Sequence, residues 1–296
     1  MVPEFATKSK RIMWVGGNRD LLGLIFPDQD VFFVDLKFPR VKDLLNPYFL
    51  VGCLIYWKSF FSCHKSTALM LAHSVRIKPD LVFSFLDYNL GIWSLKSYRP
   101  DLHVWVWQIG RRGIEPGEFL SDLKAGATSN MYWVDYYHCW GDAVRNYVRQ
   151  LKGVRCRTVI GGSFRSNLYP VMATKTDNNQ TALWISQYRP QKSHIAFQNY
   201  SGLIVTHEEF YAHDKKVLVR LASQLKKRNV ELQILSAGVA DSWEEEKFYK
   251  DLDSQFVVHR PQQNIYQYLD GFQYIFTVNS SLGYEMTSRG KKVGFF

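Results

Sequence analysis

Short runs of consecutive apolar residues alternate with stretches of helical periodicity along most of this chain. Runs that are apolar at every position, rather than at every second one, are typical of central strands in a parallel sheet with both faces covered. In the first half they predict strands at Arg11–Val15, Val31–Val34, Leu81–Leu86, His103–Trp107, Tyr136–Trp140 and Thr158–Ile160. Polar residues or glycines follow several of these strands, at the carboxyl ends where α/β proteins gather ligand-binding groups.

A second series of strands and helices begins after a polar interruption. Residues 169–180 contain Pro170 and the run Lys175–Gln180 without an apolar period, so we predict a linker there. Beyond it the pattern predicts strands at Thr181–Ile185, Glu231–Leu235, Phe256–Val258, Tyr274–Phe276 and Lys291–Phe296, and helices at His213–Arg228, Asp241–Leu252 and Leu282–Arg289. The sequence therefore predicts an α/β protein with two Rossmann-like, doubly wound domains, 1–168 and 181–296.

The segment Thr277–Glu285 carries the strongest sign of a ligand site. Asn279, Ser280 and Ser281 lie between a predicted strand and a predicted helix, and they are small residues of the kind that caps helices. A phosphate could therefore approach the amides at the positive end of the helix closely. Glu285, one helical turn beyond Ser281, could accept hydrogen bonds from ribose hydroxyls. An ordinary capped helix in an α/β sheet explains the pattern equally well.

Composition narrows the class of partner. The chain has 296 residues, 46% of them hydrophobic, and a formal net charge of +10. This balance suits anionic partners such as acidic lipid headgroups or nucleotide-linked substrates. The basic clusters are scattered and lack interleaved aromatic residues, so we expect no nucleic-acid binding. The four cysteines form no CxxC pair and have no zinc-finger spacing to histidines, which indicates free thiols and no metal site.

The most apolar stretch is Tyr48–Trp57, about half the ~20 residues that cross a bilayer. We predict a buried helix or strand there. Its aromatic residues and the adjacent Lys58 leave open a contact with an acidic membrane surface. Because the N-terminus lacks a signal-peptide pattern, we expect a cytoplasmic protein, with peripheral contact at the inner face of the plasma membrane as a further option.

Several catalytic patterns are missing. Gly16-Gly17-Asn18 is not a GxGxxG fingerprint, which argues against a Rossmann dehydrogenase. No HExxH or GxSxG motif occurs, so zincin and serine-hydrolase functions lack support. Asp87 follows a wholly apolar predicted strand and is the best-placed carboxylate for a general base, although it could equally be the N-cap of the next helix.

Four segments together resemble the bacterial surface-carbohydrate biosynthesis transferases, which are of the GT-B type. They are Asn279–Glu285 with the following Gly290–Val293, Trp107–Arg111, Gly161–Asn167 and Ile185–Arg189. The capsule Kdo transferases, the CDP-glycerol glycerophosphotransferases and the UDP-sugar 2-epimerases are more distantly similar. The resemblance covers roughly the last two-thirds of the chain and rests more on the order and spacing of the segments than on any one motif.

The resemblance implies a donor-binding C-terminal domain, an acceptor-binding N-terminal domain and a reaction in the cleft between them. On the donor side, it implies that the phosphate is surrounded by Asn279, Ser280, Ser281 and Gly283 and that the ribose lies near Glu285. It also implies that the phosphates are faced by Ser186, Gln187 and Arg189. On the acceptor side, it implies that the cleft is shaped by Gln108 and Gly110. His259 and Arg260 are similar to the His-Pro element of the Kdo transferases. The chain departs from that element because Arg260 separates His259 from Pro261.

The expected activity is glycosyl transfer without a metal or other cofactor, from a nucleotide-sugar to a glycan or a lipid-linked acceptor of surface polysaccharide. The alternatives are a glycerophosphotransferase, a UDP-sugar 2-epimerase-like enzyme, and a non-catalytic protein that binds nucleotide or glycan. GT-B proteins usually continue with further helices after the strand that ends at Phe296, so a second domain truncated at its C-terminus is also expected.

Overall fold

The computed structural model describes residues 11–16, 21, 25–36, 41–58, 64–115, 118–172, 180–191, 197, 203–238, 242–260 and 264–296. The chain divides into two compact units, Met1–Phe164 and Arg165–Phe296, here called unit 1 and unit 2. The division falls a few residues before the predicted end of the first domain at residue 168. The acceptor and donor roles of the two units stay predictions.

Unit 1 is built on a six-stranded sheet in the order β2-β1-β3-β4-β5-β6, in which every neighbouring pair is parallel. The strands are β1 (Arg11–Val15), β2 (Asp30–Val34), β3 (Leu81–Ser84), β4 (His103–Trp107), β5 (Tyr132–Cys139) and β6 (Val154–Ile160). All four residues of β3 are buried. The continuous apolar runs in the sequence therefore have the expected cause, a sheet covered on both faces.

The described helices of unit 1 lie between strands along the chain. They are α1 (Val41–Leu44), α2 (Pro47–Ile55), α3 (Lys65–Ile77), α4 (Leu90–Tyr98), α5 (Phe119–Gly126) and α6 (Asp142–Gln150), and α7 (Phe164–Asn167) lies at the boundary between the units. One hydrophobic cluster joins Val82 and Val104 of the sheet to Trp93 of α4. A second set of side chains is aromatic, with the rings of Phe83 and Trp105 in edge-to-face contact at 5.1 Å.

Helix α2 corrects the prediction that Tyr48–Trp57 is buried. Asn46 caps the helix, since its side chain accepts hydrogen bonds from two backbone amides of the first turn. Only Phe49 and Gly52 of this helix are buried. A Cβ atom at Gly52 would lie 2.6 Å from the carbonyl oxygen of Ala72, so a glycine is needed for α2 to approach α3 this closely. The other faces of α2 are largely exposed although they are apolar.

Unit 2 has a five-stranded parallel sheet in the order β11-β10-β7-β8-β9. Its strands are β7 (Thr181–Ile185), β8 (Glu231–Leu235), β9 (Val258–His259), β10 (Tyr274–Thr277) and β11 (Lys292–Phe295), and its helices are α8 (His207–Lys226), α9 (Ser242–Leu252), α10 (Ile265–Asp270) and α11 (Ser281–Ser288). The chain starts in the middle of the sheet and builds outward in both directions. This is the strand order of a Rossmann-like domain.

Alternate residues of β7 face two helical layers. Ala182 and Trp184 belong to a cluster with residues of α8 and α9, whereas Leu183 and Ile185 belong to one with residues of α10 and α11. The two sheets confirm the predicted fold class, an α/β protein with two doubly wound, Rossmann-like domains. Within the described residues, no helix is both long enough and apolar enough to span a membrane.

The first residues of the predicted linker 169–180 are attached to unit 2. The guanidinium group of Arg289 donates hydrogen bonds to the backbone oxygens of Ser166, Tyr169 and Pro170. It also forms a buried ion pair with Asp270, which in turn accepts a hydrogen bond from the backbone of residue 172. Residues 173–179 lie outside the described part of the chain.

Candidate functional site

The strand order of unit 2 defines one position at which a ligand site is expected. Strands β7 and β10 are neighbours, but the chain continues from β7 to β8 on one side and from β10 to β11 on the other. In open α/β sheets, ligands bind outside the carboxyl ends of the strands at such a switch point. The residues that follow the two strands are Ser186–Arg189 and Val278–Ser281.

The two loops at this switch point are joined by a hydrogen bond. The backbone amide of Asn279 donates a hydrogen bond of 2.9 Å to Oε1 of Gln187. Below this contact, the hydroxyl of Thr277 donates to the carbonyl oxygen of Ile185 at 3.4 Å. Gln187 and Asn279 are both exposed. The structure therefore brings together two sets of predicted site residues that are far apart in the sequence.

Helix α11 begins directly after these residues. Ser280 is its N-cap, with a side chain that accepts a hydrogen bond of 3.3 Å from the backbone amide of Leu282, and Ser281 is its first residue. The amides of the first turn and the helix dipole favour an anion at this end. The predicted positions of Ser280 and Ser281 at a helix start are confirmed, while their contact with phosphate stays a prediction.

Gly283 is buried and serves the packing of α11 on the sheet. A Cβ atom at this position would lie 2.7 Å from Cγ2 of Thr277 and 3.1 Å from the ring of Phe295. A larger residue would push the helix away from the sheet. The requirement for glycine therefore has a cause other than the approach of a phosphate.

Glu285 lies on the inner side of the same helix. Its side chain is only 6% exposed and accepts a hydrogen bond of 3.0 Å from the hydroxyl of Tyr266. The neighbouring Met286 belongs to the hydrophobic cluster beneath α11. In this structure Glu285 points into unit 2, whereas Gln187 and Asn279 are exposed.

Ser186 is part of a buried polar network rather than an open loop. It is 4% exposed, donates a hydrogen bond of 2.6 Å to Glu245 and accepts bonds from the backbone of Tyr188 and the hydroxyl of Tyr249. Glu245 is fully buried and also accepts bonds from the hydroxyl of Ser236 and the amide of residue 237. This carboxylate, which the sequence analysis missed, ties the ends of β7 and β8 together. It stands in the acidic run 244–246, which has the composition of a solvated helix face, so the sequence offers no signal for it.

The Arg189 side chain is held by aromatic rings. Its guanidinium carbon lies 5.0 Å from the ring centre of Phe197 and 4.9 Å from that of Phe210, distances at which a cation is attracted to a ring face. Its backbone amide donates a hydrogen bond of 2.8 Å to the hydroxyl of Tyr211. Arg189 thus follows β7 as predicted, with its charge stacked on a neighbouring aromatic group.

His259 and Arg260 lie at the far edge of the sheet. His259 ends β9, which is separated from β10 by β7 and β8. Its Nε2 atom is buried and has no hydrogen-bond partner among the described residues, while Arg260 is exposed. The structure does not bring these two residues beside the switch point, where Gln187 and Asn279 meet.

In unit 1, Asp87 is fully buried and paired with an arginine. Both of its carboxylate oxygens accept hydrogen bonds from the guanidinium group of Arg112, and the hydroxyl of Tyr137 donates to it at 3.2 Å. Burial raises the pKa of the Asp87 carboxyl, and the Arg112 guanidinium opposes that rise. A general base needs an accessible carboxylate, and this one faces the interior. The interpretation of Asp87 as an N-cap is wrong, because Asn89 caps α4.

Gln108 and Gly110 brace the loop that follows β4. The Gln108 side chain donates a hydrogen bond of 2.7 Å to the carbonyl oxygen of Gly110 and accepts one of 2.8 Å from the amide of Trp140. Both residues are buried. They shape the carboxyl edge of the sheet from within, and their predicted acceptor role is untested.

No three described residues of the types histidine, cysteine, aspartate or glutamate form a cluster that could hold a metal ion. The described cysteines Cys53, Cys139 and Cys156 are free thiols.

The family described as "putative O-antigen biosynthesis protein" matches residues 105–296, about two-thirds of the chain. The chain belongs to this family. Membership in the O-antigen biosynthesis family confirms the coarse prediction of a role in surface-carbohydrate biosynthesis. The specific resemblance to Kdo transferases or glycerophosphotransferases is not supported, and no curated protein matches the chain.

Solved structures with a similar fold include MnaA of S. aureus in a co-structure with UDP, at 12% identity and a TM-score of 0.51 over 96% of this chain and 78% of that one. UDP-GlcNAc 2-epimerase of Neisseria meningitidis bound to UDP-GlcNAc has 13% identity and a TM-score of 0.45 over 96% and 73%. Anabaena Alr3699/HepE in complex with UDP and glucose has 11% identity and a TM-score of 0.48 over 95% and 79%. At 12% identity the likeness to MnaA concerns the fold alone, an α/β fold with two Rossmann-like domains.

Proposed function

We propose that this member of the O-antigen biosynthesis family is a glycosyltransferase that takes a sugar from a nucleotide-sugar bound in unit 2 and passes it to a surface-polysaccharide acceptor. The observation that supports a donor site most strongly is the switch point between β7 and β10. There the Asn279 amide meets the Gln187 side chain, next to the start of α11. Membership in an O-antigen biosynthesis family supports the sugar chemistry.

Transfer requires stabilisation of the charge that builds on the leaving phosphate. Backbone amides at a helix N-terminus do this without a metal, because their dipoles are already oriented before the reaction. The proposed phosphate position is beside Ser280 and Ser281. Oε1 of Gln187 now accepts the hydrogen bond of the Asn279 amide, and a phosphate oxygen would replace it as the acceptor. Gln187 is exposed and can turn away.

The buried network beneath the site gives it a fixed shape. Glu245 accepts hydrogen bonds from Ser186, which follows β7, and from Ser236, which follows β8. Charge-assisted bonds of this kind are stronger than those between neutral groups. In the proposal, Glu245 and Ser186 position the loops at the donor site, whereas Gln187, Asn279 and the first turn of α11 contact the donor.

Contact with an acidic membrane surface is the second part of the proposal. Helix α2 exposes a run of apolar side chains, with Leu54 71% and Ile55 59% exposed, and Lys58 follows it. Exposed apolar patches of this kind mark interaction sites, and apolar helices with flanking positive charge bind membrane interfaces. An enzyme that acts on a lipid-linked acceptor would have a use for such a surface.

The donor site is tested by thermal denaturation with UDP, CDP, GDP, CMP and their sugar-linked forms, UDP first because MnaA of S. aureus was solved with it. A ligand that binds only the folded chain raises the midpoint. We expect one nucleotide to raise the midpoint more than the others do, and Ser281→Asp to remove that difference. A carboxylate at the start of α11 favours the helix but repels a phosphate. The control Ser223→Asp adds the same charge on an exposed position of α8 and should keep the difference.

Product analysis separates the alternatives. A transferase releases the nucleotide when an acceptor is added, whereas a 2-epimerase-like enzyme converts the sugar-nucleotide without an acceptor. Binding without either reaction would leave a non-catalytic protein. Equal shifts in the parent chain and in Ser281→Asp, or no shift with any nucleotide, would contradict a donor site at α11.

A further inference from the structure

Four arginines converge on one edge of unit 1, apart from the site described above. Arg145 and Arg149 come from α6, and Arg155 and Arg157 come from the edge strand β6. Together they line a groove of about 660 Å³. We call it the arginine groove.

The two arginines of β6 are held in place by aromatic rings. The guanidinium carbon of Arg155 lies 4.5 Å from the ring centre of Trp133, and that of Arg157 lies 5.5 Å from the ring centre of Tyr136. Arg157 also donates a hydrogen bond of 3.3 Å to the Tyr136 hydroxyl. Stacking orders a guanidinium group but leaves most of its N–H donors unused.

Negative charge in the groove does not balance these arginines. Its one described carboxylate is Asp135, which Lys96 already pairs at 2.6 Å. Arg145 forms an ion pair with Asp142 on its own helix. In the described part of the chain, Arg149 and Arg155 have no carboxylate partner. The groove therefore keeps an excess of positive charge.

Protection of a sheet edge explains only part of this arrangement. Charged residues on an edge strand prevent it from pairing with other chains, which accounts for Arg155 and Arg157. It does not account for Arg145 and Arg149, which lie four residues apart on the same side of α6 and line the same groove. Like charges gathered in one place repel each other, so their convergence opposes folding unless an anion compensates it.

We propose that the arginine groove binds a multiply charged phosphate group, such as a diphosphate. The planar guanidinium group matches phosphate oxygens in pairs, and several such pairs discriminate a diphosphate from a single charge. The volume falls in the range of roughly 300–1,000 Å³ that is usual for small-ligand sites. The proposal concerns unit 1 and does not depend on the donor site in unit 2.

Calorimetric titration with inorganic pyrophosphate tests the proposal. Ser281→Asp serves as the parent, so that an anion at α11 does not contribute to the signal. We expect the double variant Arg149→Gln/Arg155→Gln to weaken binding about tenfold or more, because it removes two of the guanidinium groups that would donate charge-assisted hydrogen bonds to the phosphate. The control Arg220→Gln/Arg228→Gln removes the same charge from exposed positions of unit 2 and should bind as the parent does.

A vesicle flotation assay identifies the source of the phosphate. Flotation with phosphatidylcholine vesicles that contain phosphatidic acid shows a lipid source if the groove variant floats less than the control. Binding of pyrophosphate without that difference shows a free, soluble ligand. Three outcomes would overturn the proposal: no binding of pyrophosphate or vesicles by the parent, equal binding by groove and control variants, and tighter groove-dependent binding of a single-stranded oligonucleotide than of pyrophosphate. Thermal midpoints of the variants no lower than that of the parent show that they fold.

Discussion

The imidazole of His138 lies at the carboxyl end of β5, and its Nε2 atom is buried without a hydrogen-bond partner among the described residues. Burial lowers the pKa of His138 from 6.5 to about 4. The folded chain therefore keeps this side chain neutral at pH values where the unfolded chain protonates it. The stability that depends on the neutral form is complete above about pH 6.5 and is lost as the pH falls through 4.

We predict a measurable loss of stability in mild acid that depends on this residue. Between pH 7.5 and pH 5, protonation of the unfolded His138 should reduce the free energy of unfolding by about 2 kcal/mol. Urea denaturation of the whole chain at the two pH values should show that loss in the natural sequence and a smaller loss in His138→Gln. The control His103→Gln replaces an exposed histidine of β4 and should keep the full loss. An equal loss in both variants would mean that His138 is not the group responsible.

At the scale of single residues, the sequence predicts positions better than partners. Asn279, Ser280 and Ser281 lie at a helix start, as their residue types and the preceding apolar strand indicate. Ser186 and Asp87 also follow strands, but each forms hydrogen bonds with a side chain that is distant in the sequence, and no local pattern reveals that partner. Glu245 is 59 residues from Ser186, and Arg112 is 25 residues from Asp87. Only the folded chain brings each pair of side chains together.

The sequence predicts the bounds of a strand or helix correctly where a single local pattern determines them. Strands His103–Trp107 and Thr181–Ile185 have the predicted bounds, because consecutive apolar residues define a covered parallel strand. Helix α8 begins at His207, six residues before the predicted start. Thr206 and Glu209 form a capping box there, a start signal that is independent of the apolar face of the helix.

At the scale of elements, Gly52 gives the sharpest prediction. Its missing Cβ lets α2 lie directly on the backbone of α3. Gly52→Ala should lower the free energy of unfolding by about 1–3 kcal/mol, the usual cost of an atom without room. Gly141→Ala is the matched control, since a Cβ there meets nothing within 4 Å. Thermal denaturation of the two variants compares them, and a Gly52→Ala midpoint equal to that of the control would disprove the close approach of α2 and α3.

At the scale of the whole molecule, the chain combines a net positive charge with an exposed apolar helix. The net charge is +10, and the exposed face of α2 includes Leu54 and Ile55. The sequence analysis predicted burial for this segment because apolar residues usually lie inside. Composition could not reveal the outcome, since a helix that is apolar on all faces is compatible with a buried core and with a membrane surface. The packing at Gly52 decides which face of α2 is buried and leaves the other open.

If this exposed face of α2 binds a membrane, one substitution in it should selectively weaken that binding. Ile55→Asp places a charge where we propose that an apolar side chain enters the lipid interface. It should reduce flotation with vesicles containing phosphatidylglycerol about tenfold, because burial of such a side chain is worth about 1.5–3 kcal/mol. Ile114→Asp is a close control, since Ile55 and Ile114 are both 59% exposed in the same unit.

The comparison of these two variants separates a specific surface from general hydrophobicity. Both lose one apolar side chain and gain one negative charge, so the change in net charge cancels. Strong flotation by the Ile114 variant and weak flotation by the Ile55 variant would assign the contact to α2. Equal flotation by both would show that α2 does not reach the bilayer. Repeating the measurement with phosphatidylcholine alone then weighs the two contributions, because attraction between Lys58 and acidic lipids disappears on a neutral surface while apolar burial persists.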